Sequence, residues 1–530
     1  MALLQRLSDL QAERGFLSEA TLREFAKSAN VPLHRVQQLV SFYPHFRTAP
    51  PPRVELLVCR DVSCLLNGAG ECAKQLLPLT GGDVEVKEVS CIGRCDRAPA
   101  GVLNGNPIPL TDVTAVIVWV AEPDAMPHFD AGPIRTWRHD PYPTPDDRYG
   151  TIRALRAEPD AGSRVIQAVK DSGLRGMGGA GFPTATKWEF VRNQPATPKY
   201  VICNADESEP GTFKDGAVLR DMPHLVLEGM MIAGLSVGAT TGIVYLRHEY
   251  HVEELRLREA LTFAHEQGLL GPRAGFDIDL FISPGGYILG EETALLEALE
   301  DRRGEPRNKP PFPGSHGLHG KPTVINNVET FANIPGIVRN GADWWKGLGT
   351  AGFAGPKMIS VSGHVEKPGV YEVPLGTTVG ALLELAGGVS GGRKLLAVMP
   401  GGASSNFLGP EALAVPLDFT ALQNAGSMLG SGAVVFLAEG TDLLAVAANV
   451  TRFFRNESCG KCVPCRVGSE KAVDILDGVR GGTRDRSELD RLPDLGEAMA
   501  LTSICGLGQV AVAPALSVLK RWPDAGESTR

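Results

Sequence analysis

Apolar positions recur at helical spacing in EATLREFAKSAN and LHRVQQLVSFY, near the start of the chain, with Ser18 and Pro32 standing where helices begin. Residues 1–48 are therefore predicted to form a small helical unit. After the break TAPPPR the period changes: VELLVC and VEVKEVSC read as strands, a helix begins between Gly68 and Leu77, and the run TAVIVWVA reads as a further strand. That alternation predicts a small α/β domain over residues 49–121. Residues 122–150 are rich in Pro, Asp and His, lack periodicity and read as a linker.

From residue 151 to 350 helical and extended patterns alternate in a larger domain. SRVIQAVKDSGL has the helical period, YVIC and GIVYL are strand-like, and LVLEGMMIAGLSVG is apolar all round, as a buried helix is. Residues 351–439 predict another small unit, with KMISVSGHV and GVYEVPLG as a hairpin, TVGALLELAGG as a helix stopped at glycine, and AVVFLAE as a closing strand. Residues 440–530 read as helical in LLAVAANVTRFFRNES, SEKAVDILDGV, ELDRLPDLGEAMA and ALSVLKRW. The pattern is that of an α/β multidomain chain.

Polar and glycine-rich breaks in this pattern carry the candidate chemistry. In GLRGMGGAGFPTATK five glycines fall within nine positions, and Gly176, Gly178 and Gly181 satisfy G-x-G-x-x-G, with Gly179 between them. A dinucleotide fingerprint of that form follows a strand, whereas here a helix precedes the loop. The expected device is a nucleotide loop of another kind, leading into a helix N-terminus that faces phosphate, with Lys187 as an added positive charge. YVIC delivers Asn204, Asp206, Glu207 and Glu209 to one loop, where ligand contact and simple turn or cap formation would use the same side chains. Glu291 and Glu292 open the amphipathic helix of GEETALLEALE, a place the helix dipole favours. Asn326 and Asn327 suit a ring edge and equally suit a helix cap. His316 and His319 lie in a glycine-rich loop with no third ligand near them in sequence and are expected to be structural or solvent-facing.

Charge and length narrow the class. The chain has 530 residues, a net charge of −9 and no long basic run, which excludes nucleic acid as a partner. MALLQRLSDL lacks an apolar h-region, so a cytoplasmic location is expected, and the 18 uncharged residues from Gly229 to Leu246 read as helix plus strand rather than a membrane span. Ten cysteines in such a compartment stay reduced, and eight fall into two groups. Cys59-x4-Cys64 and Cys91-x3-Cys95, each after a strand, suit a 2Fe-2S cluster; Cys459-x2-Cys462-x2-Cys465 with the distant Cys505 suits a 4Fe-4S cubane. Zinc is the alternative, but its ribbons favour C-x2-C pairs, which the first group lacks, and a tetrahedral zinc site seldom uses three cysteines in the run of the second. Cys72 and Cys203 are expected to be packing residues.

Taken together, GLRGMGGAGFPTATKW, CNADESEPGTFKD, GGYILGEETALLEALE, KPPFP, INNVET, ESCGKCVPCR and SICGLG resemble the flavin-bearing, NADH-oxidising 51 kDa-type subunit of respiratory complex I and its soluble relatives. Residues 1–120 resemble the 24 kDa-type 2Fe-2S subunit, here joined to it at the N-terminus. Such fusions are similar to the beta subunit of soluble NAD-dependent formate dehydrogenase, and to the diaphorase subunit of NAD-reducing hydrogenase. Ala185 and Thr186 depart from the Gly-Leu or Gly-Arg common in the family and leave the loop intact.

The resemblance implies a thioredoxin-like 2Fe-2S domain, a Rossmann-like FMN and NAD domain, a ubiquitin-like domain of the soluble ligand-binding β-grasp type, and a helical 4Fe-4S domain. It places FMN on the glycine loop and Lys187, with Asn204, Asp206, Tyr287, Asn326, Asn327 and Thr330 around it. NAD(H) would stack against Phe182, Phe190 or Phe312, with Glu207, Glu209, Glu291, Glu292 and Lys309 as further contacts. Glu292 is expected to face the adenosine ribose and to favour NAD over NADP. No catalytic residue beyond FMN is required. The implied partner is a molybdenum- or tungsten-pterin subunit with further clusters, which a separate small 2Fe-2S subunit can accompany. A hydrogenase diaphorase, a complex I subunit and a zinc-bound scaffold are the other readings; the last explains the cysteines but not the glycine loops.

Overall fold

The structure is a computed structural model that describes residues 3–126 and 132–527, so residues 127–131 of the expected linker lie outside the described residues. Three four-stranded sheets form among the described residues. The first holds β1 (Val54–Cys59), β2 (Val84–Val89), β3 (Ala100–Leu103) and β4 (Asn106–Pro109); the second β5 (Tyr200–Ala205), β6 (Thr241–Leu246), β7 (Asp277–Ile282) and β8 (Thr323–Asn327); the third β9 (Pro356–Gly363), β10 (Gly369–Pro374), β11 (Leu395–Met399) and β12 (Ala433–Ala438). The chain divides into two compact units, one of Met1–Pro51, Gly132–Glu207 and Asp215–Leu348, the other of Pro52–Ala131, Ser208–Lys214 and Gly349–Arg530.

In the first unit all strands run parallel in the order β7-β6-β5-β8. Successive connections step outward from β5 to β7, then the chain returns to the other side of β5, so the order reverses between β5 and β8. At such a switch point the connections on either side diverge and leave a crevice at the carboxyl ends of the strands. The apolar run read as buried is the helix Pro223–Val237, enclosed along nearly its whole length. No helix among the described residues is long and apolar enough to cross a membrane. Residues 132–150 supply buried Trp137, Tyr142 and Tyr149; Trp137 Nε1 donates to Asp221 (3.0 Å) and the Tyr142 hydroxyl donates to Glu228 (2.5 Å).

Glu228 also accepts from the Ile152 N–H (2.9 Å), and burial pushes its carboxyl up to about 7. A carboxyl raised in this way stabilises the fold while protonated, and that contribution is lost as pH rises from its ordinary 4.5 through 7. Glu228→Gln keeps the neutral form at every pH. Its thermal stability is therefore expected to fall less than the parent's between pH 5 and 8, by up to about 3 kcal/mol, as measured by melting at each pH. Parallel melting profiles would contradict this.

In the second unit the first sheet runs β2-β1-β3-β4, with β1 and β2 parallel and β3–β4 an antiparallel hairpin. The segment TAVIVWVA is a helix, Val113–Ala121, rather than a strand. Asp112 accepts from the Ala115 N–H and starts it, and only the one-sided set Val116 and Val120 is fully buried, while Ile117 and Val118 stay open. The hairpin of β3 and β4 takes the place expected of that strand. In the third sheet, ordered β10-β9-β12-β11, β9 and β10 form the expected hairpin, Val379–Leu385 is the expected helix, and β12 lies parallel to β9 in the centre. β11 is an addition that the pattern did not announce. Helices Leu443–Asn456, Val463–Arg480, Leu492–Thr502 and Ala513–Arg521 follow.

Candidate functional site

A cavity of about 640 Å³ lies at the switch point, lined by Asn204 at the end of β5 and by Asn326 and Asn327 at the end of β8. One wall is the glycine loop, closed on itself: Arg175 and Pro183 pair as a bridge, the Gly176 N–H donates to Phe182 O (2.8 Å), and Arg175 Nε donates to Gly181 O (2.6 Å). The Met177 N–H donates to Thr330 Oγ1 (2.9 Å), which pins the loop to the helix Val328–Asn340. At Gly178 a Cβ would stand 2.9 Å from the Asn327 Cβ, so glycine is what allows this approach. Gly176, Gly178, Gly179 and Gly181 all line the cavity.

The loop feeds the helix Thr184–Arg192, whose N-cap, Pro183, supplies no side-chain cap. The Thr184 N–H donates to Leu174 O (3.0 Å), and Thr186 and Lys187 bring the first turn to the cavity. Lys187, in the cavity lining, donates from Nζ to Ile325 O (2.9 Å), which uses one of three donors. Burial lowers its ammonium pKa, nearby Glu292 opposes that shift, and Lys309 adds to it. Behind it the Trp188 Nε1 donates to Asn326 Oδ1 (2.9 Å) and fixes that amide. Asn327 Oδ1 caps the helix Val328–Asn340 at the Glu329 N–H, while its Nδ2 donates to Asp215 (2.6 Å). Of the two expectations for these amides, the helix cap is the one seen, at Asn327.

On the facing side, Glu291 is the N-cap of the helix Glu292–Leu299 and accepts from the Thr293 and Ala294 N–H groups. Glu292 caps nothing in this way. Lys309 Nζ bridges both carboxylates at 2.8 Å, and although burial alone would lower its pKa, Glu292 and Glu291 outweigh that and hold it above its ordinary value. Phe182, Phe190 and Phe312 line the same cavity and remain 50%, 47% and 56% exposed. Three open apolar rings in one crevice with the amides of Asn204, Asn326 and Asn327 suit the faces of planar aromatic ligands.

Several expected contacts are outside this lining. Asp206 accepts from the Ser283 hydroxyl (2.8 Å). Glu207 is buried and accepts from the Asp215 and Gly216 N–H groups and from the Tyr250 hydroxyl. Thr330 acts through the Met177 N–H, and half-buried Tyr287 opens the short helix Tyr287–Gly290. Glu209 belongs to the second unit, where its carboxylate accepts from the Ser404 N–H (2.7 Å) and burial raises its pKa. Ala180, Thr186, Pro313, Gly314, Thr323 and Ile325 line the cavity without having been expected as contacts. Ala180, Thr186, Pro313 and Ile325 do lie within the quoted motifs, and Gly314 directly follows KPPFP; Thr323 alone of the six lies in none of them. His316 and His319 are exposed, as expected.

The second unit gathers the thiols. β1 and β2 pair in parallel with Cys59 opposite Val89, so the loops after both strands leave the same sheet edge. Cys64 sits on the short helix Val62–Leu66, Cys91 follows β2, and Cys95 opens a helical turn; all four are buried. Cys91 and Cys95 sulfurs are 3.5 Å apart. Hydrogen bonds with Cys64 and Cys91, then burial, push the Cys59 thiol well up; a hydrogen bond with Cys91, then burial, does the same for Cys95. Buried thiols crowded in this way are a set that gives up protons to a bound cation. Buried Asp61 accepts from the Cys91 N–H (2.6 Å), Ser63 bonds Ser362 (2.8 Å), and Asn449 donates to Arg60 O (2.9 Å), bracing the loop between the first pair.

Cys462 is the N-cap of Val463–Arg480 and Cys465 lies in its first turn, while Cys459 stands in the loop before it. Burial pushes the Cys465 thiol up to about 11, and Cys462 and Cys459 add to this. At Gly508, just past Cys505, a Cβ would meet the Cys465 Cβ at 2.8 Å, so the distant cysteine's loop lies against the triplet. Among the described residues no three His, Cys, Asp or Glu side chains are disposed as the ligands of a single ion. Each set holds four cysteines, the number of ligands that a 2Fe-2S or a 4Fe-4S core takes. Cys72 and Cys203 are buried packing residues outside both sets.

These features define a flavin- and iron–sulfur-bearing electron-transfer subunit. Residues 169–336 match the Nuo51 FMN-binding domain, 445–529 the NADH-ubiquinone oxidoreductase-F iron-sulfur binding region, 1–118 the thioredoxin-like [2Fe-2S] ferredoxin, and 358–404 the SLBB domain. The NADP-reducing hydrogenase subunit HndC of Solidesulfovibrio fructosivorans is 44% identical over 72% of this chain and 78% of its own. The F 2 subunit of NADH-quinone oxidoreductase of Rhizobium meliloti is 43% identical over 70% and 90%. A chain of a crystallised NAD+-reducing [NiFe]-hydrogenase superposes with a TM-score of 0.87 at 35% identity, covering 98% of this chain and 93% of that one. The chain belongs to the family of the 51 kDa-type, FMN-binding F subunit of NADH-quinone oxidoreductase, with a thioredoxin-like 2Fe-2S domain on the same polypeptide. It is an NADH-linked oxidoreductase subunit carrying FMN, a 2Fe-2S and a 4Fe-4S cluster.

Proposed function

We propose that the cavity at the β5/β8 switch point is where this chain exchanges hydride between NAD(H) and FMN. The carrying observation is that one crevice joins a closed glycine loop, the first turn of the helix that follows it, Lys187 and three open phenylalanine rings. FMN, when bound, accepts a hydride from nicotinamide and releases electrons singly, which is the chemistry that the clusters require. The chain's own part is to bind and orient. Gly176 to Gly181 and Lys187 hold the phosphate, Asn204, Asn326 and Asn327 meet polar edges, and Phe182, Phe190 and Phe312 cover ring faces. Cys59, Cys64, Cys91 and Cys95 ligate the 2Fe-2S cluster; Cys459, Cys462, Cys465 and Cys505 ligate the 4Fe-4S cluster.

The terminal donor is assigned to formate, oxidised on a molybdenum- or tungsten-pterin partner subunit, because ESCGKCVPCR and the complete N-terminal cysteine set are most like that class. A second reading, hydrogen, is favoured by the near full-length similarity to the NAD+-reducing hydrogenase chain. Either way the isolated chain should oxidise NADH with an artificial acceptor and oxidise neither formate nor hydrogen. Formate oxidation by the single chain would contradict the proposal. The metal in the subunits that co-purify with it separates the two readings, molybdenum or tungsten supporting the first and nickel the second.

Glu292 is proposed to select NAD over NADP. Two carboxylates and one ammonium leave Glu291, Glu292 and Lys309 with one net negative charge, and Lys309 is already engaged by both acids. A ribose 2′-phosphate placed there would be repelled, while a 2′-hydroxyl could donate to Glu292. One such charge pair at about 4 Å costs about 4 kcal/mol at an effective dielectric near 20, before solvent reduces it. Glu292→Gln should therefore narrow the NADH-to-NADPH ratio of kcat/KM by at least about tenfold, or roughly 1.4 kcal/mol. An unchanged ratio with FMN fully loaded would mean that another residue reads the ribose.

A further inference from the structure

The helical segment at the N-terminus packs within the same compact unit as the β5–β8 sheet. Its turn SFYPHFR reaches the carboxyl end of that sheet. His45 stacks on His248, just past β6, with ring centroids 3.9 Å apart and 26° between planes. It also meets the loop after β7: at Gly285, where φ is +89°, a Cβ would stand 1.9 Å from His45 Cδ2, so the imidazole rests directly on this peptide. Gln11 braces the turn from behind, donating to His45 O (2.7 Å) and accepting from the Arg47 N–H (2.6 Å).

The loop that His45 touches leads, through Tyr287 and Gly290, to Glu291 and Glu292 in the cavity lining. The far end of the same segment is held by the same N-terminal helices. The Leu4 N–H donates to Asp301 (2.9 Å), the Tyr43 hydroxyl donates to Arg302 O, and the Arg303 guanidinium lies 5.8 Å from the Phe42 ring centre. Residues 285–304 are thus gripped at both ends by residues 4–45. In between, the described bonds include Asn204 Nδ2 to Gly290 O (2.8 Å) and the Lys309 bridge to both acids.

We infer that His45 is a positioning residue for dinucleotide binding: wedged between the loops after β6 and β7, it sets where the acidic pair Glu291 and Glu292 stands in the cavity. This rests on the reading of that cavity as the NAD(H) site. A wedge of this kind acts on the binding of NADH more than on the chemistry, because the loops after β6 and β7 that it meets lead to the acidic pair rather than to the glycine loop. It also gives the N-terminal helices a task in the flavin-bearing unit, although the chain continues from them into the 2Fe-2S domain.

The test uses the full chain, purified anaerobically with FMN and clusters, and compares His45→Ala with His45→Phe, which restores a flat ring. With ferricyanide as acceptor, His45→Ala is expected to raise KM for NADH about fivefold or more, with kcat within about twofold of the parent and FMN content unchanged. His45→Phe should bring KM back to within about twofold of the parent. An unchanged KM in folded His45→Ala overturns the inference, and so does a loss of FMN and kcat at constant KM, which is what a residue serving stability alone would give. Should His45→Ala not fold, Gln11→Ala loosens the same turn and carries the same expectation and the same refutation. A parent chain unable to oxidise NADH overturns the reading of the cavity and this inference with it; an unchanged KM beside an active parent overturns the inference alone.

Discussion

Cys462→Ser is expected to remove the 4Fe-4S cluster outright, lowering iron from about six to about two atoms per chain, while FMN stays bound. Cys462 stands at the N-cap of Val463–Arg480, one turn before buried Cys465 and three residues after Cys459. A cubane takes one thiolate on each of four irons, so its loss exposes a corner that a neutral hydroxyl does not hold as thiolate does. The flavin cavity is built in the other compact unit, from residues 176–327, and none of its lining comes from this helix. Iron analysis and the electron paramagnetic resonance signal of the reduced protein read the result. Retention of about six irons with an unaltered signal would mean that Cys462 is not a ligand.

The second large effect is expected at Lys187. Lys187→Ala should weaken FMN binding by roughly 1.5–3 kcal/mol, the worth of a charge-assisted hydrogen bond to phosphate, or about ten- to a hundredfold in Kd. Two features of the site favour the upper part of that range. Burial around the ammonium strengthens its field at short range, and the substitution also leaves Ile325 O without the donor it has now. Glu292 and Lys309 nearby act in opposite directions on Lys187, so the loss is not made good by a simple surplus of cations. Flavin fluorescence during reconstitution of the apoprotein measures it. An affinity equal to the parent's would mean that the phosphate lies elsewhere.

How far the sequence announced these sites depends on how local the determinant is. The cysteine sets were readable because short spacings and the strand before each pair decide which thiols can meet, and the parallel pairing of β1 with β2 then brings the loops together. The glycine loop was readable for the same reason, down to Gly178, whose lack of a Cβ makes room for Asn327. TAVIVWVA suits a strand by its β-branched composition, whereas burial of one face at Val116 and Val120, with a cap at Asp112, makes it a helix. The strands β3 and β4 are four residues each, and β4 contains Pro107 and Pro109, so neither composition nor period gave them away. Among the acids, adjacency in sequence hid a division of labour: Glu291 caps the helix start while Glu292 does not, and Glu207 and Glu209, two residues apart, belong to different compact units. The docking of the N-terminal helices beside β6 and β7 is a long-range contact that no pattern within residues 1–48 encodes.

One chain that holds a flavin with two iron–sulfur clusters is expected to reduce them with NADH. The measurement closest to that reduction is an anaerobic NADH titration of the purified chain followed by visible absorption, with FMN and metals determined on the same sample. One FMN and about six irons per chain, with the flavin and cluster bands bleaching as NADH is added, are the expected result. Stoichiometric zinc without flavin, and a spectrum indifferent to NADH, would contradict it.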